Sequence, residues 1–366
     1  MYKKMINLQT CVFSGGGVIG CAYSGAIEAL EEKKQLSGIK YFVGSSAGAL
    51  ASMICSTGAS LSYINELLIN TDFNKFLEND GKTNFLNLNW SQIVSNYGHG
   101  RGTFFKSWCE NILEKLGYNR NLTLGELYDQ TGNHLVTTTT CLKTSSLLYL
   151  SRSSYPNLRV VDAVHSSILI PYLFQPNCLD DILCKKGKRI LVDGGLIDNY
   201  PLNACDARYR DGRIWAYNTK VIGFFPHKGG YLIENSDVKN LLDYTYSVLS
   251  CLYNQLSIEK TKTPFFWERS VPIETYDVSS FNFNISQNEK NILVKSGYES
   301  TIRFLNENTF YKKYEDLFIT SEIYYDGKNF NPLPIYDIDK ALESTMIYNT
   351  NPNMYDLYKI PFLNKK

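Results

Sequence analysis

In Ile39-Lys40-Tyr41-Phe42-Val43-Gly44-Ser45-Ser46-Ala47-Gly48-Ala49-Leu50-Ala51-Ser52-Met53-Ile54-Cys55, an apolar, β-branched and aromatic run meets a cluster of small residues. A stretch of small and apolar residues follows. Ile39–Val43 has the length and make-up of a buried strand, and Ala49–Cys55 that of a helix. Gly44-Ser45-Ser46-Ala47-Gly48 fits G-x-S-x-G at the junction. Nucleophilic chemistry wants a serine on a sharp strand-to-helix turn, where its hydroxyl projects from the sheet and the helix N-terminus offers amides to an anion. Small residues at Gly44, Ala47 and Gly48 leave room for such an elbow. Alone, the pentapeptide fits equally a small-residue turn with Ser46 as a helix N-cap.

The same strand–turn–helix pattern stands just upstream. Leu8–Phe13 is a short apolar run ending at Ser14-Gly15-Gly16-Gly17, and Ala22–Leu30 has helical apolar spacing before the charged Glu31–Lys34. Strands alternating with helices predict an α/β fold with a largely parallel sheet covered on both faces. Further along, Leu61–Leu116 reads as mostly helical, broken by a turn at Gly98-His99-Gly100-Arg101-Gly102. Leu135–Thr140, Leu147–Ser151, Arg189–Val192 and Val221–Phe225 read as strands. Val160–Ile170 reads as a helix stopped by Pro171, and Val238–Ile258 and Ser286–Leu305 as two more helices. No internal repeat is visible.

Gly15-Gly16-Gly17-Val18-Ile19-Gly20 also fits G-x-G-x-x-G, the dinucleotide fingerprint. That fingerprint needs an Asp or Glu at the end of the second strand, and here the second strand ends in Gly44-Ser45-Ser46. A glycine-rich turn can instead turn free amides toward an oxyanion. With an elbow on the next strand, an oxyanion loop is the better reading. A nucleotide-binding oxidoreductase is the rival, and it would leave Ser46 dispensable.

An activated serine needs a proton acceptor. Of the four histidines, His227 alone follows a plausible acid, Asp193, in the hydrolase order Ser–Asp–His, so Ser46-Asp193-His227 is one candidate triad. His227 lies in Phe225-Pro226-His227-Lys228-Gly229-Gly230, which also reads as an exposed turn. Asp193 ends an apolar strand and is followed by Gly194 and Gly195. It fits an Asp-Gly hairpin turn, or a carboxylate at the carboxyl edge of a parallel sheet, where active sites collect. Asp198, the nearest other acid, fits a residue that orders its loop.

Composition bounds the rest. A net charge of +1 gives no reason to expect a nucleic-acid partner. Nine cysteines without CxxC pairs or His-rich spacing argue against zinc and against a disulfide framework, and point to a reducing compartment. Met1–Asn7 carries two lysines with no apolar stretch after them, so no signal peptide is expected, nor any transmembrane segment. The expected location is cytoplasmic or peripheral to membranes. Lys185, Lys186, Lys188 and Arg189 form a basic run that reads as a solvated loop or a contact with anionic headgroups.

Together these pieces resemble the patatin-like phospholipase family. Ser14-Gly15-Gly16-Gly17-Val18-Ile19-Gly20 is similar to its oxyanion loop, Gly44–Gly48 to its nucleophile elbow, and Asp193-Gly194-Gly195 with Asn199-Tyr200-Pro201 to its catalytic Asp-Gly-Gly/Ala segment. Ala163–Pro176 resembles its Ala-Ser-x-x-x-Pro-x-x-Phe-x-Pro helix and turn, and Ser286–Leu305 its closing helix. Ile19 stands where family loops often carry Arg or Lys, and Ser14 where they often carry Asp. The resemblance implies a three-layer α/β/α sandwich over 1–310, with 311–366 as a Tyr/Asn-rich extension. It implies a Ser46–Asp193 dyad without histidine, in place of the His227 triad. The oxyanion donors would come from Gly15, Gly16, Gly17 and Ala47, with Gly44 and Gly48 shaping the elbow and Gly194 and Gly195 supporting Asp193. The implied activity is hydrolysis of fatty acyl esters, of phospholipase A type, with no metal or cofactor. A phospholipid or other acyl lipid would be met at a membrane surface, with room for an activating protein partner. A catalytically inactive lipid-binding or interaction protein with the same fold is the remaining alternative.

Overall fold

A computed structural model describes residues 8–78, 90–177, 190–208, 214–218, 220–227, 241–262 and 265–306. The basic run at 185–189 and the extension from 311 onward lie outside the described residues. So does the proposed domain boundary.

The chain opens with strand β1 (Thr10–Phe13), helix α1 (Ala22–Glu32), β2 (Tyr41–Gly44) and α2 (Ala47–Ser56). These are the two strand–turn–helix units expected from the sequence. Helices α3 (Leu61–Asn70), α4 (Trp90–Asn96) and α5 (Thr103–Lys115) follow. Between the last two, Gly98–Gly100 is not a plain turn. It is a short strand, β3, paired in parallel with β6 (Tyr172–Phe174). Helix α6 (Leu124–Thr131) was not read from the sequence, although Thr123 and Glu126 form a capping box at its start. The antiparallel pair β4 (His134–Cys141) and β5 (Ser146–Ser151) precedes α7 (Val160–Ser167).

The main sheet runs β11-β10-β1-β2-β4-β5, where β10 is Val221–His227 and β11 is Ser270–Glu274; β7 (Leu191–Asp193) also pairs with β4, and β8 (Ala207–Arg208) and β9 (Ile214–Ala216) form a separate antiparallel pair. Neighbours from β11 to β4 are parallel. Strand β11, with Pro272 inside it, lies at the sheet edge, where a missing amide is tolerated.

Successive residues of the central strands face opposite sides, and each side has its own core. Cys11, Phe13, Leu135, Ile222 and Phe224 join a large cluster with α1, α2, α5 and α7. Val12, Val43, Val136, Val221 and Phe225 join a smaller one with Tyr200, Leu202 and Phe266. This is the covered-on-both-faces α/β architecture expected from the alternating pattern. The helix Gln287–Asn306 packs along α1 and closes the larger side. Among the described residues no helix is long and apolar enough to cross a membrane.

Strand β7 departs from the expectation. It runs antiparallel to β4, not parallel, with Asp193 opposite Thr139 and Leu191 opposite Cys141. Strand β2 leaves the edge of β4 at Gly44, opposite Thr137. The other edge of β4 is taken by β5 from Val136 to Cys141. Strand β7 therefore occupies the edge that β2 has vacated and points back toward its end. Asp193 stops two residues of β4 away from the level of Gly44, and the chain after Gly44 is the turn that holds Ser46.

Candidate active site

Ser46 sits between β2 and α2 with φ 52° and ψ −123°, a conformation that L-residues avoid. It occupies the N-cap position, yet its side chain caps nothing. The plain N-cap reading therefore fails: the hydroxyl makes no hydrogen bond to the helix amides. The turn is tight enough that a Cβ on Gly44 would come within 2.1 Å of the Gly48 carbonyl, and one on Gly48 within 2.1 Å of the Phe13 carbonyl. The backbone of Ser46 is fixed from the far side by α7, where its amide donates to Ser167 Oγ at 2.9 Å.

Asp193 is buried at 2% exposure. Gly194 continues it in a right-handed helical conformation into the short helix Gly195–Asp198, so the Asp-Gly hairpin reading is excluded. Asp193 Oδ1 accepts the Gly195 amide at 2.7 Å. Its Oδ2 has no partner in formed hydrogen-bond geometry among the described residues. Burial pushes the carboxyl up to about 7, against opposing hydrogen-bonding influences from the Ser46 hydroxyl and the Gly195 amide. The serine thus lies close enough to act on the carboxyl, one oxygen of which has no formed hydrogen bond. Such contacts are often long before substrate arrives.

No imidazole is among the groups acting on Asp193. His227 ends β10 beside the edge strand, with Nδ1 3.9 Å from Glu274 Oε2, and burial lowers its pKa. The exposed-turn reading of its side chain does not hold. His134 stacks on Tyr41 at 4.2 Å, and His165 Nε2 lies 3.0 Å from the Arg101 carbonyl. Asp198 orders its loop as expected, accepting the Tyr200 amide at 3.1 Å and pairing with Lys260.

The glycine loop lies against this segment. The amides of Gly16, Gly17 and Ala47 donate to no acceptor among the described residues, as an anion site requires. Gly15 differs from expectation: its amide is spent on the Asn199 carbonyl at 2.7 Å, so it supplies space and not a donor. Ser14 Oγ donates to the same carbonyl at 3.1 Å, and Asn199 Nδ2 returns a bond to the Gly15 carbonyl at 3.2 Å. A Cβ on Gly15 would meet Asn199 Oδ1 at 2.1 Å, and one on Gly195 would meet it at 2.7 Å. One carboxamide is therefore wedged between the glycine loop and the Asp193 segment. On the loop's outer side, Val18 donates to the Ser280 carbonyl at 3.1 Å. Ile19, at the position of the family's frequent cation, is buried in the core.

Asn199 and Ser167 lie inside sequence motifs that by themselves assign them no role. Only their spatial partners, Gly15 and Ser46, give them one. Among the described residues no cluster of three or more His, Cys, Asp or Glu side chains is arranged to hold a metal.

A family profile described as patatin-like phospholipase matches residues 11–206, a span containing the glycine loop, the elbow and Asp193. The chain belongs to the patatin-like phospholipase family. Family membership makes lipid hydrolysis the activity to test against the geometry. The chain is 27% identical over 312 residues to YqhO of Bacillus subtilis (strain 168), covering 82% of this chain and 98% of that one. It is 24% identical over 301 residues to R571 of Acanthamoeba polyphaga mimivirus, covering 80% and 92%. Among solved structures, VipD from Legionella pneumophila superposes with a TM-score of 0.56 at 17% identity, over 82% of this chain and 67% of VipD. That last likeness is one of fold, and it agrees with the patatin-like α/β architecture described above.

Proposed function

We propose that this patatin-like protein hydrolyses fatty acyl esters of membrane lipids, in the manner of a phospholipase A, through a Ser46 acyl-enzyme with Asp193 as base. The observation that carries the proposal is the buried Asp193 carboxyl, whose Oδ2 takes up no formed hydrogen bond among the described residues, in reach of a Ser46 hydroxyl that favours its ionised form.

Asp193 Oδ2 takes the proton from Ser46 Oγ as Oγ attacks the ester carbonyl carbon. The tetrahedral oxyanion is held by the amides of Gly16, Gly17 and Ala47, aided by the N-terminal dipole of α2. Collapse expels the alcohol, which leaves with the proton from Asp193. Water then attacks the acyl-enzyme, giving its proton to Asp193, and Ser46 recovers that proton as the fatty acid departs. A carboxyl near its ordinary pKa would be a feeble base; one raised to about 7 is matched to neutral pH. Asn199 and Ser167 act as positioning residues, the first for the donor loop, the second for the elbow. The substrate is met at a membrane surface from the water side, and a requirement for an activating protein is compatible with this chemistry.

The test is release of fatty acid from mixed phospholipid vesicles by the full chain, beside Ser46→Ala, Asp193→Asn and His227→Ala. Release abolished in the first two and retained in the third is expected. Loss in His227→Ala with the fold intact points to an ordinary triad. Binding of vesicles without release, with or without a cell extract supplying an activator, points to a lipid-binding protein.

A further inference from the structure

The long helix Leu241–Thr261, which stands between β10 and the edge strand β11, contributes to neither core. Of its described side chains Thr261 alone is buried. Tyr244, Val248, Leu252 and Leu256 follow one another at intervals of four along one side of the helix, and all are exposed, from 42% for Val248 and Leu256 to 57% for Tyr244. From Tyr244 to Ile258 the chain holds no Asp, Glu, Lys, Arg or His, fifteen residues in a row. A helix face that meets only water ordinarily carries charge. This one turns hydrocarbon outward instead, and a contiguous exposed apolar strip marks an interaction surface.

The helix is also tied to the proposed active site. Lys260, near its C-terminal end, pairs with Asp198 and donates to the Tyr200 carbonyl. The helix packs on Gly195–Asp198, the short helix that leads away from Asp193. The apolar strip is therefore carried on the segment that holds the proposed base.

Size and chemistry select the occupant. From Tyr244 to Leu256 the strip is about 18 Å long and about 10 Å wide, on the order of 200 Å². A stable protein pair buries about 800 Å² on each partner, so a second copy is a poor fit. A lipid surface needs no complementary shape, and it accepts a helix lying flat with its apolar side chains about 5–10 Å deep. Among the described residues no helix is long and apolar enough to cross a membrane, so lying flat is the geometry left to this one. Tyr244, with an apolar ring and a polar tip, suits the level of the headgroups.

Resting on the hydrolase reading above, we propose that the outward face of Leu241–Thr261 docks the protein on phospholipid bilayers. Its apolar side chains enter the boundary between headgroups and acyl chains and bring the Asp193 segment down to the lipid. Because the strip is uncharged, the attachment needs no anionic lipid and persists in salt that would screen a contact through basic residues.

The first test is co-sedimentation of the full chain carrying Ser46→Ala with phosphatidylcholine vesicles, in about 0.1 M and about 1 M salt. The same chain with Leu252→Asp and Leu256→Asp added is the comparison; both positions face water, so an unchanged unfolding midpoint is expected. The parent should bind at both salt concentrations, and the added pair should weaken binding about tenfold or more. Equal binding by the two chains overturns the proposal, as does parent binding that disappears in high salt. A dimer that the pair converts to a monomer, with vesicle binding unchanged, assigns the face to a second copy and likewise overturns it. The second test uses Cys251, the one exposed cysteine among the seven described, which lies on the same side of the helix. With Cys178 and Cys184 replaced by serine, a polarity-sensitive thiol probe at Cys251 should shift its emission to the blue on adding vesicles. An unmoved spectrum overturns the proposal.

Activity separates this proposal from the reading beneath it. With Ser46 present, Leu252→Asp/Leu256→Asp should lower fatty acid release from the vesicles about tenfold or more and leave hydrolysis of the soluble ester p-nitrophenyl butyrate unchanged. Vesicle binding lost in the pair, with neither substrate hydrolysed by the parent, leaves the docking face standing and removes the hydrolase reading. Hydrolysis of both substrates, with binding indifferent to the pair, does the reverse.

Discussion

Two aspartates lie in the interior thirteen residues apart, Asp193 at 2% exposure and Asp206 at 0%, and their surroundings could hardly differ more. Both carboxylate oxygens of Asp206 are used. Oδ1 accepts from Arg269 Nη1 and from the Asn218 amide, each at 2.7 Å, and Oδ2 from Asn203 Nδ2 at 2.6 Å. Asp193 has one firm donor, the Gly195 amide, an Oδ2 without a formed hydrogen bond among the described residues, and the Ser46 hydroxyl acting on its carboxyl. A buried carboxylate with a paired cation and full hydrogen bonding holds structure together; one left under-satisfied within reach of a serine hydroxyl is the one we propose as a base. Burial alone does not mark a functional acid. What distinguishes the two is which oxygen remains unspent, and on what it borders.

The sharpest way to break this comparison is to remove the proposed base or nucleophile. Asp193→Asn and Ser46→Ala should each lower ester hydrolysis by about 10⁴-fold or more, as loss of a base or nucleophile does. Either variant retaining a tenth of the activity, in a chromogenic ester assay, would falsify the dyad. Next in size is Asp206→Ala, which strands the Arg269 charge in the core and should cost about 3–5 kcal/mol in denaturant unfolding. If that variant kept its midpoint but lost activity, the two aspartates would have to exchange roles.

A third prediction turns on sign. The folded pKa of Asp193 is raised to about 7, above the unfolded value, so the native state holds the extra proton. Its effect on stability is absent below about pH 4, grows as a cost as pH rises to about 7, and is complete above that. Asp193→Asn, neutral at every pH, should therefore be more stable than the wild type at pH 8 by up to about 4 kcal/mol. The advantage should shrink toward pH 4, as thermal melts across that range will show. The smallest effect expected is from Asn199→Ala, which frees the glycine loop from the Asp193 segment. We expect kcat to fall by about 10- to 100-fold with KM little changed, because the oxyanion donors are misplaced while substrate binding persists. A rise in KM at constant kcat would assign Asn199 to binding instead.

How much of this was legible in the chain follows from distance along it. The Ser46 elbow and its flanking strand and helix are written in contiguous residues, as are the Gly15–Gly17 loop and the alternation that gives the covered parallel sheet. Asp193 was identifiable as a candidate acid from its strand and glycines. Its mode of arrival was not, because the apolar pattern of Leu191–Val192 carries no direction. A parallel neighbour and an antiparallel one fit it alike, and the vacancy beside β4 depends on where β2 and β5 end. The roles of Asn199 and Ser167 rest on partners 184 and 121 residues away, which no local pattern encodes. A run of three glycines does not say which amides stay free; only the Asn199 carbonyl shows that the Gly15 amide is spent. Pro272 hid strand β11, since a proline in a strand argues for a loop until the strand is known to lie at an edge.

The central claim is that Asp193, and no histidine, governs the reactivity of Ser46. It is tested most directly by the rate of labelling with a fluorophosphonate probe from pH 5 to 9, in the wild type, Asp193→Asn and His227→Ala. The account predicts a wild-type rate that rises through a single ionisation near 7, the same curve in His227→Ala, and no appreciable labelling in Asp193→Asn. A titration that disappears in His227→Ala but persists in Asp193→Asn would contradict it.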